Sequence, residues 1–394
     1  MSLNTTVSAE RPHIAFFGRR NAGKSSVVNA VTNQKISVVS DTLGTTTDPV
    51  KKAMELLPLG PVVIIDTPGF DDVGALGALR VERTREVLRK TDIAVLVVDG
   101  TLGMSEADNA LVAEFRERRL PYLVVYNKVD LLDVIPAAQA QEIYVSAING
   151  TGIDALKEKL AHIVGDEKKE KYIVADLVEA GDTVILVIPI DDAAPKGRII
   201  LPQQQTLREL LDHHCSVICC QPEELSATIA GLQKKPALVI TDSQAFGKVA
   251  KLTPEEIPMT SFSVLFARYK GDLDNLIAGA EALSSLKEND RVLISEGCTH
   301  RRQCGDIGTV KLPAWIERFA GVKPRFEFTS GGSFPDDLSV YRVVVHCGGC
   351  MLNEKEMQYR QKAAQQAGVP MVNYGIAIAK MNGILDRALE PIIN

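Results

Sequence analysis

Two sets of residues in this chain could do chemistry, and they lie far apart in sequence. The first is Cys298-Thr299-His300 with His346-Cys347-Gly348-Gly349-Cys350, soft sulfur and nitrogen donors of the kind that hold transition metals. The glycines between Cys347 and Cys350 let the backbone come close to whatever the thiolates bind. Three chemistries fit the spacing: an iron–sulfur cluster, a closed structural zinc site, or a redox dithiol. The count favours the first, because three thiolates suit a four-iron cluster whose last corner is held by something weaker and exchangeable. His346 and His300 are candidates for that corner, and Cys304 and Asp306, close behind Cys298, compete with them. A lone histidine at a strand end is otherwise often a hydrogen-bonded structural residue.

The second set begins with Gly18-Arg19-Arg20-Asn21-Ala22-Gly23-Lys24-Ser25, a phosphate-binding loop between an apolar run and a helix. Lys24 is expected to reach the β and γ phosphates and Ser25 to ligate Mg2+, with Asn21, Ala22, Gly23 and Ser26 completing the cradle. In Gly44-Thr45-Thr46-Thr47-Asp48, Thr46, or else Thr45, is expected to meet Mg2+ and the γ-phosphate. Asp66-Thr67-Pro68-Gly69 supplies an acid for the Mg2+ shell and, from Gly69, an amide for the γ-phosphate, so hydrolysis would fall to Lys24, Thr46 and Gly69. Asn127-Lys128-Val129-Asp130 reads the base. The Asp130 carboxylate can accept both guanine N1 and N2 hydrogens but would face a lone pair on adenine N1, a strong discrimination. Ser146-Ala147 would add backbone contact to guanine O6. The substrate is therefore expected to be GTP and not ATP.

Except for Gly44–Asp48, which lies in a polar connection after the first helix, each motif needs a strand end to position it. Apolar runs His13–Phe17, Val62–Ile65, Tyr122–Tyr126 and Glu142–Val145 precede the nucleotide motifs, Arg291–Ile294 precedes Cys298, and Tyr341–Val345 precedes His346. Asn353 to Gln366 reads as a helix, which puts Cys347 and Cys350 at a strand-to-helix turn, where free helix amides favour an anion. Strands alternating with helices predict an α/β protein of three consecutive α/β domains, the first a P-loop GTPase fold. The expected boundaries are 1–166 for GTP binding, 170–258 for assembly and 259–394 for the cluster, with Lys168-Lys169-Glu170-Lys171 as a charged hinge. The middle part, with a strand at Thr183–Ile188, a helix at Gln205–His213 and a strand at Ser216–Cys220, shows no phosphate loop. Its Cys215, Cys219 and Cys220 read as small hydrophobes of a buried strand rather than a second metal site with His213 and His214. The chain is expected to end in one helix reaching Leu389.

Composition narrows the classes. A 394-residue chain with 45% hydrophobic and 24% charged residues reads as soluble and globular, with room for two or three cores. A net charge of -6 argues against a protein whose task is gripping nucleic-acid backbone. No run of about 18 apolar residues reads as a membrane span, and Met1 to Arg11 has no apolar signal region, so a cytoplasmic location is expected. Seven cysteines in a reducing compartment then favour metal ligands and buried thiols over disulfides.

The nucleotide motifs, in this order, resemble the TrmE and Era type of GTPase. That resemblance implies that Asn21 helps bind potassium beside the phosphates. Phe70 stands where Ras-like enzymes place the water-orienting glutamine, implying slow hydrolysis assisted by K+ or by assembly. The pattern Cys298-x-His300 with His346-Cys347-x-x-Cys350, joined to such a GTPase and to the segment Asp191 to Gln205, resembles the HydF family of [FeFe]-hydrogenase maturation GTPases. The resemblance implies a scaffold or carrier. Cys298, Cys347 and Cys350 would hold a [4Fe-4S] cluster whose exchangeable site keeps a transient diiron precursor, bearing CO, cyanide and dithiolate ligands, for transfer to apo-[FeFe]-hydrogenase. It further implies a homodimer through the middle domain and two radical-SAM maturases as partners, a role this chain cannot fill because it lacks a CxxxCxxC motif. The competing expectations are a regulatory TrmE/Era-like GTPase with a structural zinc module and a CxxC oxidoreductase.

Overall fold

His13–Gly18 (β1) is buried along its whole length and apolar from Ile14 to Phe17, as a strand covered on both faces must be. In the computed structural model, which describes residues 11–34, 50–68, 84, 86–166, 171–190, 199–297 and 306–393, β1 lies inside a six-stranded sheet of order β2-β3-β1-β4-β5-β6. The others are β2 (Val50–Leu56), β3 (Gly60–Asp66), β4 (Ile93–Asp99), β5 (Tyr122–Asn127) and β6 (Glu142–Tyr144). All pairs are parallel except β2 with β3. Alternate residues of β1 feed opposite cores. Ile14 and Phe16 pack with Val28 of helix α1 (Lys24–Thr32) and with Leu156 and Leu160 of α3 (Ile153–Asp166). Ala15 and Phe17 pack with Leu111 and Phe115 of α2 (Glu106–Glu117). The phosphate loop, Asp66-Thr67-Pro68, Asn127–Asp130 and Ser146-Ala147 follow the carboxyl ends of β1, β3, β5 and β6, the edge at which open parallel sheets form their sites.

The chain divides into two compact units, Met1–Lys169 and Glu170–Asn394. The second holds two parallel four-stranded sheets. One has the order β10-β9-β7-β8, from β7 (Thr183–Val187), β8 (Ser216–Cys220), β9 (Leu238–Thr241) and β10 (Met259–Ser261). The other has the order β12-β11-β13-β14, from β11 (Arg291–Glu296), β12 (Arg325–Ser330), β13 (Val343–His346) and β14 (Met371–Asn373). Around them lie α4 (Leu201–Asp212), α5 (Leu225–Ala230), α6 (Phe246–Leu252), α7 (Phe262–Lys270), α8 (Leu273–Ser284), α9 (Leu312–Ala320), α10 (Glu354–Gln366), α11 (Tyr374–Met381) and α12 (Leu385–Ile393). One apolar cluster runs from Ile185, Val187 and Phe246 beside the first sheet to Ile294, Val345, Ile378 and Leu389 beside the second. The two sheets thus share a core. The boundary expected after Pro258 falls inside the first sheet, because Met259–Ser261 is its edge strand.

The single closing helix expected up to Leu389 is two helices, α11 and α12, separated where Gly383 takes a φ of 68°. Helix α8 approaches β14 so closely that a Cβ on Gly279 would stand 1.9 Å from the Met371 carbonyl oxygen. Gly279→Ala should therefore cost about 1–3 kcal/mol through forced backbone shifts, seen as a lower urea midpoint for the second unit; an unchanged midpoint would show that α8 can move away. Among the described residues no helix is long and apolar enough to cross a membrane.

Candidate functional site

In the first unit Asn127 ties three motifs together. Its Nδ2 donates to the Ala22 carbonyl at 3.1 Å, and its Oδ1 accepts from the Ala147 amide at 3.1 Å. Gly23, with a φ of 83°, lies directly beneath it; a Cβ there would come within 2.2 Å of Asn127 Nδ2. The phosphate loop thus needs glycine both for its backbone and for this contact. Asp130, on the turn after β5, accepts from the buried Ser146 hydroxyl at 2.5 Å. Asp130 and the Ser146-Ala147 pair are thereby held side by side.

At the phosphate end, Lys24 Nζ pairs with Asp66 Oδ1, and Ser25 Oγ donates to Asp66 Oδ2 at 3.1 Å. Lys24, Ser25 and Asp66 thus meet at one place, with Ser26 in the first turn of α1. A hydroxyl beside a carboxylate at the foot of a glycine-containing loop fits Mg2+ and phosphate oxygens. Asn21 is exposed at the loop crest with a φ of 60°. Thr45, Thr46, Gly69 and Phe70 lie outside the described residues.

Two further contacts were not anticipated. Arg19 Nε reaches Asp108 Oδ2 at 3.1 Å, and Asp108, fully buried, also closes the capping box with Ser105 at the start of α2; only that Ser-x-x-Asp spacing is legible in the sequence. Lys128 Nζ bonds Asp99 Oδ2 at 2.5 Å. Burial pushes the Asp99 carboxyl up, but hydrogen bonds from Lys128 and Thr101 outweigh it and hold the group below the usual carboxylate range.

In the second unit β13 ends at His346 and Asn353 caps α10 by accepting from the Glu356 amide at 3.2 Å, so the cysteine turn occupies the strand-to-helix position expected of it. Cys347 and Cys350 are half-buried. Cys347 Sγ accepts amide hydrogens from Gly297 at 3.0 Å and Gly349 at 3.4 Å. Gly297 directly precedes Cys298 at the end of β11, the strand paired in parallel with β13. Gly349, at a φ of 62°, packs on Met357, whose Sδ would be 2.4 Å from a Cβ there. Burial pushes the Cys350 thiol up, with the Lys270 ammonium acting against it. Lys270, itself buried, donates to the carbonyls of Cys350 at 3.4 Å and Leu352 at 3.1 Å.

Amide donors to sulfur, a glycine turn and a neighbouring buried cation fit an iron–sulfur cluster. Among the described residues no group of three or more His, Cys, Asp or Glu could hold a metal; Cys298, His300 and Cys304 lie outside them. His346 corrects an expectation. Its ring is wholly buried, Nδ1 donates to the Cys347 carbonyl at 2.7 Å and Nε2 accepts from Arg360 Nη1 at 3.0 Å, so both nitrogens are committed and neither offers a lone pair to a metal. Burial first, and the Arg360 charge second, push its pKa down to about 3. Asp306 Oδ2 accepts from the Thr309 amide and hydroxyl, both at 2.9 Å. In the other sheet Cys215 and Cys220 are buried as expected, but β8 is an edge strand and Cys219 is exposed.

Residues 13–128 match the family described as 50S ribosome-binding GTPase. Residues 173–271 match the Hydrogen maturase F dimerization domain and residues 274–391 the Hydrogen maturase F tetramerization domain. Curated relatives include the tRNA modification GTPase MnmE of Laribacter hongkongensis, 36% identical over 161 residues, which are 40% of this chain and 35% of the relative. The MnmE of Bordetella petrii is 34% identical over 154 residues, 39% of this chain and 34% of the relative. The chain thus spans about a third of the length of these relatives. Similar solved structures include Era in complex with MgGDPNP and 16S ribosomal RNA nucleotides, at TM-score 0.36 and 19% identity over 53% of this chain and 93% of that one. Another is the T. maritima FeoB G domain, at TM-score 0.32 and 23% identity over 39% of this chain and 99% of that one.

Proposed function

With a GTPase domain followed by both hydrogen maturase F modules, the chain belongs to the HydF family of hydrogenase-maturation GTPases, and from that membership we propose that it is a GTP-hydrolysing cluster scaffold. In this reading Cys298, Cys347 and Cys350 hold a [4Fe-4S] cluster, and a diiron precursor is the cargo carried to apo-[FeFe]-hydrogenase. The observation that carries the reading is the 3.0 Å bond from the Gly297 amide to Cys347 Sγ, because it joins the chain immediately before Cys298 to the turn that bears the other two thiols. The cluster would supply an iron corner open to exchange. The zinc-module alternative is disfavoured by the maturase modules that follow the GTPase domain.

Hydrolysis of GTP to GDP and phosphate would use Lys24 on the phosphates, with Ser25, Asp66 and Thr46 around Mg2+, which neutralises charge on the transferring group. Asn127, Asp130, Ser146 and Ala147 would hold the guanine. Asn21 would help bind K+, so replacing K+ by Na+ should lower GTP turnover severalfold in the wild-type chain and leave Asn21→Ala unaffected. Equal turnover in both salts would count against that role.

The matched modules are oligomerisation domains, in accord with a homodimer; radical-SAM maturases and apo-hydrogenase as partners, and a cytoplasmic location, complete the proposal. The nucleotide state, acting on the segments around Thr46 and Phe70, would gate docking of the maturases. The chain co-produced with the maturases and mixed anaerobically with apo-hydrogenase should yield hydrogen evolution. No activation by cargo-loaded chain would contradict the carrier role.

A further inference from the structure

Arg360, on α10, is the largest fully buried side chain among the described residues, and a guanidinium is tolerated there only if its N–H groups find partners. Its Nε donates to Glu356 Oε1 at 2.9 Å, one turn earlier on the same helix. Its Nη2 donates to the Gly331 carbonyl at 2.7 Å, and its plane lies over the Phe334 ring at 4.9 Å. Its Nη1 reaches Ser295 Oγ at 3.4 Å and His346 Nε2 at 3.0 Å. Because an arginine can only donate, His346 Nε2 must accept, which puts the ring proton on Nδ1, where it donates to the Cys347 carbonyl at 2.7 Å. The path Glu356–Arg360–His346–Cys347 thus runs from the helix to the backbone of the thiol residue, while Cys347 Sγ is held from elsewhere by the Gly297 and Gly349 amides.

We propose that Arg360 and His346 are positioning residues for the metal site: they fix the Cys347 carbonyl and so hold the cysteine turn ready for its cluster. The proposal rests on the reading of Cys347 and Cys350 as cluster ligands. It assigns His346, the neighbour of a ligand, to orienting work, as partners just outside a metal's own ligands commonly do.

The test uses the full chain, reconstituted anaerobically with iron and sulfide, in the wild type and in His346→Ala, His346→Asn, Arg360→Lys and Cys347→Ser variants. His346→Ala should still take up iron and sulfide but lose iron to a chelator roughly 10–100-fold faster than the wild type. His346→Asn, whose side-chain amide can still donate to the Cys347 carbonyl, should recover most of that loss. Arg360→Lys should also lose iron faster, because one ammonium cannot serve partners in so many directions. The nitrogen coupling in pulsed EPR of the reduced cluster should be the same in the wild type and in His346→Asn. If His346→Ala takes up no more iron than Cys347→Ser, or if a strong nitrogen coupling disappears on substitution, His346 is a ligand and the proposal is overturned. Wild-type retention in His346→Ala would overturn it from the other side. A wild-type chain that takes up no iron and sulfide would overturn the cluster reading itself, an outcome distinct from either.

Discussion

Cys347→Ser should strip the chain of the proposed cluster and of the proposed hydrogenase activation while leaving guanine-nucleotide affinity where it is. Cys347 Sγ is the sulfur on which the Gly297 and Gly349 amides converge. A serine hydroxyl there is a harder donor on a shorter arm and a poor substitute for thiolate on iron. Loss of an orienting neighbour alone costs metal sites roughly 10–100-fold in affinity, and loss of a ligand should exceed that. The substitution lies in the second compact unit and the nucleotide motifs in the first, so nucleotide titrations should superimpose on the wild type. Activation equal to the wild type would remove Cys347 from the ligand set.

Lys24→Ala should lower GTP hydrolysis by about 10²–10³-fold, the range seen when one donor that stabilises transition-state charge is removed. Nucleotide affinity should fall with it. The variant also takes away the Lys24 partner of Asp66, a carboxylate that is 8% exposed, and leaves it the Ser25 hydroxyl. Asp66→Asn in the Lys24→Ala background should therefore recover stability but not hydrolysis. The same variant tests the proposed carrier role apart from GTP hydrolysis. Charged with the diiron precursor beforehand, Lys24→Ala protein should still activate apo-hydrogenase if nucleotide governs docking of the maturases and not cluster chemistry. Failure of the preloaded protein would place GTP in the transfer itself.

The placement of Lys24, Asp66, Asn127 and Ser146 was legible because each follows an apolar run that can only be a buried strand, and the parallel sheet then gathers those strand ends at one edge; Thr46 and Gly69 lie outside the described residues. The same reasoning brought the cysteine turn to the end of β13 and α10 to its start at Asn353. Other features were not readable, for physical reasons. Strand β10 is three residues long, too short for an alternation to show, so the expected boundary fell within a sheet. The break between α11 and α12 rests on one residue, Gly383, in a left-handed conformation. Arg360 sits in the strongly polar sequence of α10, where Glu356 and Arg360 look like an ordinary surface pair one turn apart; its burial is set by Phe334 and Gly331 from a distant loop. The choice between ligand and structural histidine at His346 was open for the same cause, since its partner Arg360 is known only once the helix folds back over the strand.

The most direct test of the scaffold account is the iron, zinc and acid-labile sulfide content of strictly anaerobic protein, with EPR after reduction. The account predicts about four iron and four sulfide per chain, with a reduced-cluster signal that disappears in Cys298→Ser. About one zinc per chain and no sulfide would contradict it, and would make the second unit a structural zinc module attached to a regulatory GTPase.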